Sequence, residues 1–197
     1  DLLGMLLLAG VLRMVMTHHT TFFINSLAHI WGSQPFTDRN SARDNGILAF
    51  FTFGEGYHNF HHLFENDYRN GIRWWQFDPT KWLIRIAAWC GLARDLRSCP
   101  EERIEQARLE MQLKRAQARL HKQDDRELWQ ALLQEEYDKL SLQIQHYYAN
   151  RKQLLEQRKR KALARYDRLK LQLEYRNLRD GFLVAKRNWS RLLAGIA

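Results

Sequence analysis

Residues 54–62 read Gly54-Glu55-Gly56-Tyr57-His58-Asn59-Phe60-His61-His62. The two glycines predict a flexible bend and the rest a helical turn. On a helix, positions i, i+3 and i+4 share a face, so His58, His61 and His62 are expected to converge while Asn59 and Phe60 point elsewhere. Three imidazoles on one face form a set of nitrogen donors for a transition metal. The alternative is a solvated or core histidine cluster. The chain has eight histidines, three of them inside these five positions. No thiolate stands near them, which argues against a structural zinc finger, and no HExxH pattern of zinc proteases occurs. Histidine-rich iron sites that activate oxygen fit this donor set.

Upstream, Asn25 and His29 lie four apart and share a face of their own helix. His18 falls on nearly the same stripe, but three turns, roughly 16 Å, separate it from His29, too far to share an ion. His18 and His19 are therefore read as surface, interfacial or supporting residues, and His121 and His146 as solvated. Residues 2–12 are apolar, and Arg13 interrupts them. They predict the distal half of a membrane-spanning helix, with residues 14–31 continuing it out of the membrane. The chain opens on Asp1 inside this run, and we expect further protein to precede it. Residues 32–45, with Gly32, Pro35, Asp38, Asn40 and Asp44, predict a loop, and residues 47–53 a short apolar run.

Downstream, Asp78-Pro79-Thr80-Lys81 predicts a helix start, Asp78 as cap and Pro79 in the first turn, where no N–H is needed. The helix carries Trp82, Ile86 and Trp89 on one stripe. With Trp74 and Trp75 it fits either a segment at a membrane surface or an amphipathic helix of a soluble core. Trp74, Trp75 and Trp82 are read as interfacial anchors. Arg69, Arg73 and Lys81 fit an anionic acyl or lipid head, or plain surface charge, and Glu55 fits a partner for an imidazole N–H or a helix-start residue. Cys90 and Cys99 have no CxxC spacing and read as reduced thiols on the cytosolic side.

The 197 residues carry a net charge of +9. Residues 1–99 hold nine Lys and Arg against eight Asp and Glu; residues 100–197 hold 22 against 14. The basic balance belongs to the second half, and five of the seven tryptophans to the first. Residues 101–180 lack Pro and Gly and are dense in helix formers. Trp129, Leu133, Leu140, Ile144, Tyr147 and Leu154 form a heptad-like seam, with a break expected near Gln123-Asp124-Asp125. The basic block Arg158-Lys159-Arg160-Lys161 follows. The fold class expected is all-α: the end of a transmembrane helix, a cytosolic helical cap bearing histidines (1–99), then a charged tail (100–197) of one or two long helices. The tail is read as a self-associating coiled coil, or as a basic arm touching anionic lipid; no nucleic-acid motif is present.

Asn25-Ser26-Leu27-Ala28-His29, the 54–62 run, Asn66-Asp67-Tyr68-Arg69-Asn70-Gly71 and Asp78-Pro79-Thr80-Lys81-Trp82 together closely resemble the membrane acyl-CoA (stearoyl-CoA) delta-9 fatty acid desaturases, bacterial type. The resemblance covers residues 1 to about 98. It implies a multi-pass membrane enzyme whose cytosolic cap holds two iron ions (Fe2+). His58, His61 and His62 stand at its third histidine box, His29 at an additional histidine ligand, and Asn25 where an asparagine reaches one iron through water. The reaction implied uses O2 and an electron donor of cytochrome b5 or ferredoxin/reductase type to place a cis double bond in a saturated acyl-CoA. Upstream of His58 no HxxxxH or HxxHH box occurs, so residues 1–197 alone are expected to be inactive. An acyl-lipid desaturase, a related di-iron hydroxylase, and a helical interaction protein with incidental histidines are the alternatives.

Overall fold

The computed structural model describes residues 1–120, 126–160 and 165–196; side chains are described outside 157–168. His121, the expected seam break at Gln123-Asp124-Asp125, and the side chains of the 158–161 basic block lie outside the described residues. Among the described residues, seven helices account for nearly all regular structure and there is no strand. Asp1–Cys99 and Pro100–Ala197 form two compact units.

In the first unit, helix α1 runs unbroken over Leu2–Ile30. Its segment Leu6–Leu12 is π-wound. At 29 residues it is long and apolar enough to cross a membrane. Its methionines, its phenylalanines and the leucines of residues 2–12 face outward. The hydroxyls of Thr17, Thr20, Thr21 and Ser26 donate to the carbonyls one turn back, at 2.6–3.0 Å. Bonds of this kind satisfy polar side chains where no water is available. The helix stops at Trp31, whose backbone is extended.

Helix α2 (Gly46–Phe51) is capped by Asn45, whose side chain accepts from the Ile47 and Leu48 amides. Helix α3 (His58–Leu63) follows the expected glycine bend, where Phe53 and Gly54 have φ of 54° and 105°. Isolated antiparallel bridges join Ser33 to Asp44 and Asp44 to Tyr57, so the chain leaving α1 is tied to the start of α3. Gly56 is the point of closest approach. A Cβ there would sit 2.1 Å from the Ala49 nitrogen. Phe36 packs edge to face against Phe60 of α3 and Phe64, which are tilted to each other by 48°.

Helix α4 (Pro79–Trp89) begins as the sequence predicts. Asp78 accepts from the Lys81 amide at 2.9 Å and also from the amides of Asn70 (2.8 Å) and Gly71 (2.9 Å). Lys81 departs from its reading as a cation for an anionic head group. It is buried, and its ammonium donates to the carbonyls of Gly71, Arg73 and Gln76 at 2.7, 3.0 and 3.2 Å. Burial pulls its pKa below the ordinary lysine value. Arg69 is likewise engaged, in a two-point pair with Asp67 at 2.9 and 2.7 Å. Arg73 stays exposed, 5.6 Å from the Trp75 ring. Trp74, Trp75 and Trp89 are exposed, and no disulfide joins the free Cys90 and Cys99.

The second unit is three helices: α5 (Glu101–Leu120), α6 (Arg126–Arg160) and α7 (Arg165–Ile196). Arg151 pairs with Glu101, and Lys186 with Glu105. Tyr147 stacks on Tyr175 and Phe182, and Trp189 donates to Gln112 at 2.8 Å. These pairings run α6 against α5 and α7 against α6 in an up-down-up order. The seam residues Leu133, Leu140 and Ile144 are buried with Leu109, Leu113, Leu120, Phe182 and Trp189. The apolar seam thus exists, but its partners are α5 and α7 of the same chain. Among the described residues the tail has three helices, one more than the one or two expected.

Candidate metal centre

The last turn of α1 and the whole of α3 carry the candidate site. His58 Nε2 lies 3.1 Å from His29 Nε2 and 3.0 Å from His62 Nε2. The donor atoms of His29, His58 and His62 all lie within 4.8 Å of one another. Nitrogens that share one transition-metal ion at bond lengths of about 2.1 Å sit roughly 3–3.5 Å apart, so this triple is spaced like a ligand set. His58 is buried, His29 half-buried and His62 exposed, and the cluster opens at His62.

The electrostatics suit a cation. Burial holds His58 to a pKa of about 4, with the neighbouring His62, His29 and His61 adding to the effect. His62 is lowered too, first by its own burial and then by His61 and His29. A metal needs neutral imidazoles, and burial favours that form in both rings. The sign follows. For a depressed histidine, the neutral form favoured by folding is fully present above the ordinary value of 6.5 and is lost as pH falls through the folded value. His58 Nδ1 is buried with no hydrogen-bond partner. The donor set therefore fits a nitrogen-ligated transition metal.

His61 is not in this triple. Its ring lies nearly parallel to that of His58 with centroids 6.2 Å apart, and 5.9 Å from His62. Asn25 is exposed, and its amide donates to the Thr21 carbonyl at 3.1 Å, one turn back along α1. His18 and His19 are partly or fully exposed and belong to no cluster among the described residues. Glu55 accepts from the Asn70 side-chain Nδ2 at 2.8 Å rather than from an imidazole.

Two residues escaped the sequence reading. Asn59, fully buried, makes four hydrogen bonds. Its oxygen accepts from the Phe36 and Thr37 amides at 2.9 and 3.3 Å, and its nitrogen donates to the Thr37 and Ala42 carbonyls at 2.7 and 2.9 Å. Ser41 Oγ lies 2.8 Å from His29 Nδ1. Both contacts join positions 12 or more residues apart, so no local pattern announces them. Asp44, another loop residue, accepts from the Phe60 amide in the first turn of α3 at 3.1 Å.

The profile of the family described as Fatty acid desaturase matches residues 2–88. Nearly the whole first unit is thus similar to the fatty acid desaturases. A probable acyl-CoA desaturase of Schizosaccharomyces pombe is 58% identical over 97 residues, covering 49% of this chain and 20% of that protein. Acyl-CoA desaturase 1 of Saccharomyces cerevisiae is 50% identical over 115 residues, covering 58% of this chain and 22% of its own length. Delta-9 acyl-lipid desaturase 1 of Arabidopsis thaliana is 43% identical over 82 residues, covering 42% of this chain and 27% of its own length. The chain thus spans about a fifth of the length of the two yeast relatives. These relatives are fungal and plant proteins and lend no support to the bacterial subtype read from the motifs. All the candidate ligands of the desaturase segment lie inside the matched residues.

Proposed function

We propose that residues 1–99 form part of an oxygen-dependent fatty acyl desaturase and supply four histidines to a two-iron centre. The convergence of His29, His58 and His62 nitrogens from two separate helices, inside a desaturase-family segment, carries this reading. His29, His58 and His62 serve one ion. His61, turned away from the triple, serves the second, and Asn25 approaches an ion through water. The remaining ligands come from protein outside residues 1–197. Iron, when bound, would supply the oxidation of two adjacent methylenes: the two hydrogens removed from them, with two electrons from a cytochrome b5- or ferredoxin-type donor and two protons, would reduce O2 to two waters as a cis double bond forms.

The chain's own contribution is placement. Because α1 carries His29 in its last turn, the donors stand where an acyl chain leaves the bilayer, with the cap and tail on the cytoplasmic side. Burial at His58 and His62 disfavours protonation there and leaves those nitrogens open to a cation. Acyl-CoA is the substrate favoured, because the two yeast relatives named for acyl-CoA are 58% and 50% identical, above the 43% of the acyl-lipid desaturase. Delta-9 is the position favoured by the motif resemblance.

The test is to express the 197-residue protein, and separately the open reading frame with any sequence upstream of Asp1, in cells lacking their own desaturase. Iron and unsaturated acids are then counted. The longer protein is expected to yield a cis-monounsaturated acid and to lose this on His62→Ala. The 197-residue protein is expected to yield none and to hold fewer than two irons. Two irons per chain in the short form, or a hydroxy acid as the product of the long one, would overturn the reading.

A further inference from the structure

We infer that Ser41 is a positioning residue for the metal centre: its hydroxyl fixes the ring of His29 so that Nε2, and not Nδ1, is presented to the ion. The inference rests on the ligand role proposed above for His29. Two atoms of that ring have defined neighbours. Nε2 faces His58 Nε2 at 3.1 Å, and Nδ1 faces Ser41 Oγ at 2.8 Å. An imidazole that ligates through Nε2 carries its proton on Nδ1, and a hydrogen bond from that N–H selects the tautomer, locks the ring rotation and raises the basicity of the ligating nitrogen. The serine hydroxyl accepts that bond.

Ser41 is exposed, and an exposed serine in a loop is ordinarily free to turn. Here the backbone on both sides of it is pinned. The Asn40 carbonyl accepts from the Gln34 side chain at 2.6 Å, and the Asn40 side chain accepts from the Ala42 amide at 3.1 Å. The Ala42 carbonyl accepts from buried Asn59 at 2.9 Å. The Arg43 amide donates to the Ala28 carbonyl at 2.7 Å, at the residue just before His29. The loop is thereby tied to both ligand-bearing helices, α1 through Ala28 and α3 through Asn59. Ser41 sits between those ties with its hydroxyl on the one histidine that the loop reaches. Nothing local requires serine there. Its backbone makes none of these bonds, and its side chain makes the one bond to His29.

The experiment uses the 197-residue protein in detergent with Co2+ as the probe, read by its visible absorption, and two-bond 1H–15N correlation spectra of the metal-free protein. Wild type is expected to bind Co2+ with loss of binding in His62→Ala, and His29 to carry its proton on Nδ1. Ser41→Ala is expected to weaken Co2+ binding by about tenfold and to give a mixed His29 tautomer, at an unchanged melting temperature. Ser41→Thr, which keeps the hydroxyl, is expected to restore both. If wild type binds Co2+ through His62 while Ser41→Ala matches it in affinity and tautomer, the positioning role is wrong and the ligand set stands. If wild type fails to bind Co2+, His29 presents no ligating nitrogen in this protein and the positioning role is overturned. If Ser41→Thr behaves as Ser41→Ala, the hydroxyl is not the agent and the inference is overturned.

Discussion

At the scale of single residues, the site depends on side chains that never touch an ion. Asn59 fills its hydrogen-bonding capacity with loop backbone. Asn59→Ala leaves two buried amides and two carbonyls without that partner. An unsatisfied buried group costs about 1–3 kcal/mol, so a loss of at least about 2 kcal/mol is expected. Hydrogen exchange at the Phe36 and Thr37 amides should rise by tenfold or more, and unchanged exchange at both would show that the clamp is dispensable. Asp67 gives a pH-dependent counterpart. Its buried carboxylate accepts from Arg69 and from the Cys99 amide, and these bonds outweigh burial to hold its pKa below the ordinary 3.8. A depressed carboxylate stabilises the fold above its unfolded value, and the contribution is lost as pH falls through the folded one. Wild type should therefore exceed Asp67→Asn in melting temperature above about pH 4, with the gap closing at lower pH. A gap independent of pH would assign the effect to packing.

At the scale of elements, the short helices hold because their ends are capped from elsewhere. Asp78 gathers three amides from two segments. Asp78→Ala frees all of them and should lower the melting temperature of the first unit by several degrees, about 2–3 kcal/mol, in a thermal scan read through the tryptophans. Gly56→Ala is expected to be worse, since a methyl group at 2.1 Å from the Ala49 nitrogen cannot be accommodated without parting α2 from α3. Failure to accumulate folded protein is the outcome anticipated. What the sequence disclosed at this scale was local. The Asp-Pro helix start and the glycine bend are read from neighbours along the chain, as is the histidine face. Within that face the three rings are not equivalent. Successive helical residues turn by about 100°, so positions i+3 and i+4 flank position i on opposite sides. His62 therefore reaches the His29–His58 pair while His61 diverges. The roles of Lys81, Glu55 and Ser41 depend on contacts made by the returning chain, and no spacing rule encodes those.

At the scale of the molecule, the seam along α6 was legible as apolar but silent about its partner. A heptad pattern states which face is buried, and leaves open whether another chain or the same one covers it. The two units have separate cores, which gives a clean separation of effects. Leu133→Ala, at a position with no exposed surface, should cost the second unit about 2–5 kcal/mol. Co2+ binding at the histidines should stay as in wild type. Reduced metal affinity in that variant would show that the second unit supports the first.

Lys81 is the only lysine in residues 1–99, and its ammonium is enclosed by three carbonyls. The desaturase segment is therefore nearly blank to amine-reactive reagents while it is folded. Acylation at this one nitrogen can proceed only when the turn before α4 opens. The rate at which a peptide containing position 81 acquires an acetyl group then becomes a clock for that opening, read by mass spectrometry in a lipid or detergent mixture where optical methods struggle.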